Sequence, residues 1–433
     1  MISAPQPEAV EAGIEVLKAG GNLIDATVCA ALVQTAVDPQ MCGIAGFGNI
    51  QIFLPEKGVH TTFDFHGRAP KAVKSDIWES LIEREAEDGW GFILSGRENE
   101  FGYGSISTPR TLATLDTILN LYGTRSLKEL IQPAIEYCRN GVLIRPHMSS
   151  YWNMPATAGR DPNISMVNKF KETQKIYCDE SGLVKKVGDL LLNPDMGQLY
   201  QDIGNYGVNH FYSGEISQRI ILDMQENGGL LAIEDLQECT PEEHPPLWGT
   251  FFDYKIATNN PPGGGVMLVE MLNILEEFDL KGMGHNSVEY IKVVSEVMKI
   301  ATIDKDTKVG DPKFTVVPTD QLTSKSYAKA HAEKIKRGDR AVVNRVNKGN
   351  PESKCTTQLV LADVSGNCVT MTHTLGQPSG VVTEGLGFMY NGAMTVFDPR
   401  PGRPGSLAPG KARFTAISPT IIFKDDLPYL ILG

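Results

Sequence analysis

The apolar positions Ile14, Val16 and Leu17 predict a helix that opens near Pro7 and stops at Gly20 and Gly21, where glycine provides the usual helix-ending conformation. Asp25 is then expected to cap a second helix over 26–37. That segment is apolar almost throughout and too short to cross a bilayer, so it reads as a core helix. "GIAGFGN" at 43–49 leads into the apolar run "IQIFL", a predicted strand. No Lys-Ser/Thr follows the glycines, which removes a phosphate loop and leaves close strand packing as their purpose. Residues 108–141 read as helical, with "PRTLATLDTILNLYG" and "LKELIQPAIEYCRNG" each closed by glycine, and further helices are predicted near 213–226 and 265–278. Between those two lies "TNNPPGGG" at 258–265, a loop that either brings its backbone to a ligand or acts as a stiff connector. The stretch 341–355, "AVVNRVNKGNPESKC", has no periodicity and reads as an exposed linker. Beyond it the pattern shortens to alternating strands at 357–363, 367–375 and 386–391. A Pro/Gly-rich loop at 399–410 follows, and then "AISPTIIFKDDLPYLILG". A helix-rich first part thus precedes a strand-rich second part, with no internal repeat.

The hairpin "CTTQLVLADVSGNCVTMTHT" at 355–374 is unusual in its threonines. A three-residue turn Val364-Ser365-Gly366, with Gly366 left-handed, opposes residues whose numbers sum to 730. Thr356 then faces Thr374, and Gln358 and Thr372 lie one pair along on the same face. Threonine suits half-buried strands, and that alone accounts for the pattern. The alternative is chemical. In an N-terminal-nucleophile hydrolase the chain is cut before a threonine, whose freed α-amine serves as base for the neighbouring hydroxyl; a cleavable linker must then precede it, and 341–355 supplies one.

Composition narrows the partners. Hydrophobic residues make up 41% and charged residues 21% of 433 positions, which is ordinary globular usage, enough for one large or two medium domains. A formal charge of −12 argues against a phosphate-backbone partner, and the one basic run, 334–340, reads as a solvated helix face. The seven cysteines are scattered, with no CxxC, CxxH or HExxH spacing. They give no support to a metal site and fit free thiols in a reducing compartment, with the cytoplasm favoured. Met1 is followed at once by a helix-like segment with no charged leader or apolar targeting core.

Several segments carry a resemblance. "PEAVEAGIEVLKAGGNLIDATVCAALVQTAVDP", "YGTRSLKELIQPAIEYCRNGVLI", "NNPPGGGVMLVEMLNILEEFDL", "YAKAHAEKIKRG", "CTTQLVLADVSGNCVTMTHTLG" and "ISPTIIFKDD" occur in order over nearly the whole chain. Together they resemble the γ-glutamyltranspeptidase family of N-terminal-nucleophile hydrolases. The resemblance implies an α+β fold, a four-layer αββα sandwich, made as one precursor and split into a large part, 1–355, and a small part, 356–433. It implies Thr356 as nucleophile, cleavage between Cys355 and Thr356, and Thr374 as the second threonine that hydrogen-bonds the nucleophile. It also implies acyl transfer from a small amide to water or an amine, with no metal or organic cofactor and neither nucleic acid nor membrane as partner.

Departures from the family pattern bear on substrate. Family members hold a carboxylate with an arginine in D-[FY]-R-E-x-A-P and with a Ser-Ser pair. Here the motif is "DFHGRAP", which moves the arginine to Arg68, and Thr415 and Ala416 replace the serines. The positions that hold an α-amino group carry Gly376, Ala393 and Val396, so a zwitterionic glutamyl head is expected to bind poorly unless Gln377 or Thr415 rebuilds its site. The "GRAP" form is similar to the oxamate amidohydrolase and acylase-like branch, with a γ-glutamyl-like, glutaryl-like or oxamate-like small amide as the expected substrate. The family's "ILG" leads into a P-G-G turn that forms the oxyanion hole, whereas this chain stops at Gly433, which implies a sequence shortened at its C-terminus and at its N-terminus too. Gln358 stands where the family has histidine. A catalytically inactive member acting as a binding or structural subunit is the rival reading.

Overall fold

In the computed structural model the described residues are 1–87, 89, 91–343 and 356–433. The helix Leu23–Val37 is apolar on every side, and every one of its residues is buried, as expected for a helix enclosed by other layers. It starts earlier than predicted, and its cap differs. Asn22, not Asp25, is the N-cap: its side-chain oxygen accepts from the Ile24 and Asp25 backbone N–H groups at 2.9 and 3.0 Å. Asp25 is the third helical residue; it returns a bond to the Asn22 N–H and also accepts from the N–H groups of Thr124 and Arg125. The preceding helix, Pro7–Lys18, follows the sequence reading.

This helix layer lies on a six-stranded antiparallel sheet. Its strand order is Ile2–Ser3, Thr357–Ala362, Cys368–Thr374, Phe47–Leu54, Val59–Phe65 and Glu242–His244. The second sheet orders Leu427–Leu432, Thr420–Lys424, Tyr254–Thr258 and Leu247–Phe251, also antiparallel. Phe53, Cys368, Ala257, Ile421, Phe423 and Ile431 pack between the two sheets. The helix Gly265–Leu275 covers the second sheet and is itself covered by Val288–Lys308 and Lys325–Lys336. The order of layers is therefore helix, sheet, sheet, helix. Among the described residues no helix is long and apolar enough to cross a membrane.

The glycines of "GIAGFGN" serve close packing. A Cβ on Gly46 would stand 2.4 Å from the Thr374 carbonyl oxygen, and one on Gly48 would stand 2.1 Å from that of Thr372. Thr374 pairs with Phe47 in the same register. The loop 258–265 acts as a connector: Gly264 N–H donates to the Ile417 carbonyl at 2.8 Å, and Thr415 N–H donates to that of Pro262 at 3.0 Å. It fixes the segment 415–417.

One predicted strand is absent. Residues 386–391 are irregular: an isolated bridge joins Pro378 to Asn391, and Tyr390 bonds through its backbone to Ser379 and Val381, but no strand forms. Gly385 and Gly387 have φ of 68° and 71°, in the left-handed region that breaks an extended run. A Cβ on Gly387 would also stand 2.4 Å from the Met196 nitrogen, so the chain turns here to pass a helix end. Six described cysteines are free and buried. The expected linker lies outside the described residues from 344 onward, as does Cys355.

Candidate active site

The hairpin pairs Thr357 with His373 and Gln358 with Thr372, the predicted register. Gly366 takes φ 79° in its turn. Thr356, at the start of the first strand, donates through its hydroxyl to Thr374 Oγ1 at 3.4 Å. Thr374 is buried, and its oxygen also accepts from the Gly376 N–H at 2.8 Å, which fixes the rotamer facing Thr356.

The remaining threonines have structural partners. On the face shared with Thr356, Gln358 Nε2 donates to Thr370 at 2.6 Å, and Gln358 Oε1 accepts from Thr372. Thr370 donates onward to the Leu432 carbonyl at 3.0 Å, so this ladder ties the two sheets together. On the opposite face, Gln34 Nε2 donates to Thr357 at 3.1 Å and Thr357 donates to Gln6 at 3.1 Å. His373 Nε2 meets Gln34 Oε1 at 2.9 Å, and burial pushes this histidine down to about 3, so it stays neutral and donates. Gln6 Nε2 in turn donates to Asp38 at 2.6 Å. This polar floor, which holds the strand rigidly beneath Thr356, draws on residues 6, 34 and 38. It was not read from the sequence, because its members are far apart in the chain.

Thr356 and Thr374 open onto a cavity of about 360 Å³. Five of the expected binding residues line it: Gly376, Gln377, Val396, Thr415 and Ala416. Ala393 is buried behind the wall. Phe47, Tyr151, Met154 and Ile417 add apolar surface and Asn163 a polar amide, together with two arginines, Arg160 and Arg413, that the sequence reading did not single out.

Arg68 does not line this cavity. Its guanidinium pairs with Glu242 and with Asp311, the latter at 3.3 Å, and donates to the Gly410 carbonyl at 3.1 Å. The third place of "DFHGRAP", where the family motif has arginine, holds His66. Its Nδ1 meets Asp64 at 2.6 Å and its Nε2 meets Thr415 Oγ1 at 2.6 Å. Burial would raise the Asp64 carboxyl, but His66 and Arg110 hold it well below the carboxylate range. The motif position itself was the available signal for His66.

The αββα sandwich is the fold of the N-terminal-nucleophile hydrolases. The family model for gamma-glutamyltranspeptidase matches residues 9–433, and the chain belongs to that family of hydrolases and acylases. It is 30% identical to the glutathione hydrolase proenzyme of Escherichia coli, over all of this chain and 74% of that one. It is 32% identical to the acylase ACY 1 proenzyme of a Pseudomonas species, over all of this chain and 76% of the relative. The solved structure of the cephalosporin acylase from Bacillus halodurans superposes with a TM-score of 0.83 at 25% identity, covering 99% of this chain and 76% of that one.

Proposed function

We propose that this chain is a self-processing threonine amidohydrolase or acyltransferase in which Thr356 is the nucleophile. The observation that carries this reading is the Thr356 hydroxyl at the mouth of the cavity, 3.4 Å from Thr374 Oγ1. Cleavage between Cys355 and Thr356 frees the threonine α-amine. That amine takes the hydroxyl proton as Oγ attacks the amide carbonyl carbon, and it delivers the proton to the departing amine as the C–N bond breaks. The ester left on Thr356 is opened by water, or by an amine, whose proton returns along the same path. Thr374 holds the Thr356 hydroxyl in line throughout.

The acyl group is small, glutaryl-like or oxamate-like, to suit a cavity of about 360 Å³. Gly376 and Val396 in the wall, and Ala393 behind it, offer no side-chain acceptor to an α-ammonium, which supports an acylase preference over γ-glutamyl transfer; Gln377 and Thr415 are the acceptors that remain at the expected positions.

Intact mass and N-terminal sequencing of the purified protein test the reading. Two polypeptides are expected, the smaller beginning at Thr356, and Thr356→Ala should remain a single chain with no acyl transfer. A small subunit beginning at any other residue would remove Thr356 as nucleophile, and a single inactive wild-type chain would leave the protein a binding subunit.

A further inference from the structure

Two arginines line the cavity, a third, Arg68, lies outside it, and their partners differ. Arg68 has Glu242 and Asp311. Arg160 has Glu100, 3.5 Å away. Arg413 has no carboxylate among the described residues. Its Nε donates to the Phe414 carbonyl at 3.2 Å and its Nη1 to the Ala393 carbonyl at 3.3 Å. The guanidinium carbon lies 5.2 Å from the centre of the Phe47 ring. Nη2 has no hydrogen-bond partner among the described residues, although the residue is only 8% exposed and lines the cavity.

A buried cation without a counter-charge is costly, and here burial pulls the guanidinium down to about 9. The chain nevertheless secures Arg413 in place. Its N–H donates to the Gly67 carbonyl at 3.2 Å, and Ala412 N–H donates to Asp311, the carboxylate that also holds Arg68. Gly376 leaves the room: a Cβ there would stand 3.4 Å from Nη1 and 3.2 Å from Phe47, at a φ of 67°. A cation so placed, with a free N–H edge toward the cavity, is suited to a planar anion that accepts from it and from a neighbouring hydroxyl. Thr415 supplies such a hydroxyl in the same wall.

We propose that Arg413 is the specificity-determining residue of this site: it binds a carboxylate at the end of the acyl group remote from the amide, and it repels an ammonium in the same place. The kinetic part of this proposal rests on acyl transfer from Thr356; the binding part does not. Like charges in a low-dielectric pocket oppose each other strongly, so Arg413 disfavours a γ-glutamyl head beyond the mere loss of acceptors.

The test uses the purified full protein, its Arg413→Gln and Arg413→Lys variants, and three p-nitroanilides: glutaryl, its neutral carboxamide analogue, and γ-glutamyl. Wild type is expected to favour glutaryl over the neutral analogue by at least about tenfold in kcat/KM, because the analogue leaves the buried charge unpaired. Glutaryl should also exceed γ-glutamyl. In Arg413→Gln the first ratio should fall toward one, and Arg413→Lys should recover part of it as a point charge without the fork. Calorimetric binding of glutarate should weaken in Arg413→Gln by a similar factor. Tm should hold level or rise in that variant, since it removes an unpaired buried charge, whereas a packing role would lower it.

A wild-type ratio near one, a preference for γ-glutamyl, unchanged glutarate affinity in Arg413→Gln, or equal loss on all substrates with a lower Tm would each overturn the proposal. If no substrate is turned over and no acyl adduct forms on Thr356, the acyl-transfer reading fails by itself, and glutarate binding still decides the role of Arg413.

Discussion

A charged side chain sealed inside a protein needs a partner, a proton or a ligand, and this chain shows all three arrangements. Arg68 has partners, Arg413 is left for a ligand, and Glu270 keeps a proton. Glu270 is buried on the helix Gly265–Leu275 beside Asp304, and together these push its carboxyl up to about 9. Against the pull of burial, Lys308 at 2.7 Å and the Tyr327 hydroxyl at 2.6 Å hold Asp304 below its usual range, so the proton resides on Glu270. The sign follows from linkage: the folded state holds a proton that the unfolded chain releases near 4.5, so this contribution is full below 4.5 and declines as pH rises toward 9. Asp304 titrates below that window. Denaturant unfolding at about pH 5.5 and about pH 8.5 should therefore show wild type losing stability at the higher pH and Glu270→Gln losing less of it. Equal losses in the two proteins would assign the proton elsewhere. The contrast with Arg413 also explains what the sequence concealed: nothing local to "KARF" reveals that its arginine is buried with no carboxylate partner among the described residues.

At the scale of the elements, the hairpin was legible because two local rules suffice. A glycine in the turn sets the register, and the period of two then decides which side chains face each other. The strand Phe47–Leu54 beside it was legible as a strand, but its position was not, since pairing across more than three hundred residues leaves no local trace. The segment 386–391 shows the limit from the other side. Its apolar run "LGFMY" has strand composition, yet two left-handed glycines and a neighbouring helix end decide its path. A Cβ on Gly48 would stand 2.1 Å from the Thr372 carbonyl oxygen on one neighbouring strand and 2.9 Å from the Phe65 ring on the other, so a shift to either side meets a neighbour. Gly48→Ala should destabilise the fold by about 1–3 kcal/mol through forced strand displacement, the usual cost of overpacking. Urea unfolding measures it, and a loss below about 0.5 kcal/mol, the range of ordinary surface changes, would mean the sheet opens freely at this point.

Over the whole molecule, the sequence suggests a helix-rich part followed by a strand-rich part, but the fold interleaves them. Residues 356–433 contribute two adjacent strands to the first sheet, between Ile2–Ser3 on one side and Phe47–Leu54 on the other, and two strands to the second, where Thr420–Lys424 pairs with Tyr254–Thr258. The segment 410–413 is also held against residues 67–69 through backbone bonds and Arg68. A cut between Cys355 and Thr356 therefore removes one covalent bond and leaves both sheets intact. Separating the two pieces would expose the edges of Phe47–Leu54 and Tyr254–Thr258, and it would uncover the packed residues between the sheets, a cost of the order of unfolding itself. The processed protein should accordingly give two bands on a denaturing gel but a single peak in native size-exclusion chromatography, at the position of the uncut Thr356→Ala chain. In urea, the separation of the fragments should coincide with loss of secondary structure in one transition. Separate elution of the small fragment under native conditions would show that the strands of 356–433 are not held between those of the large part.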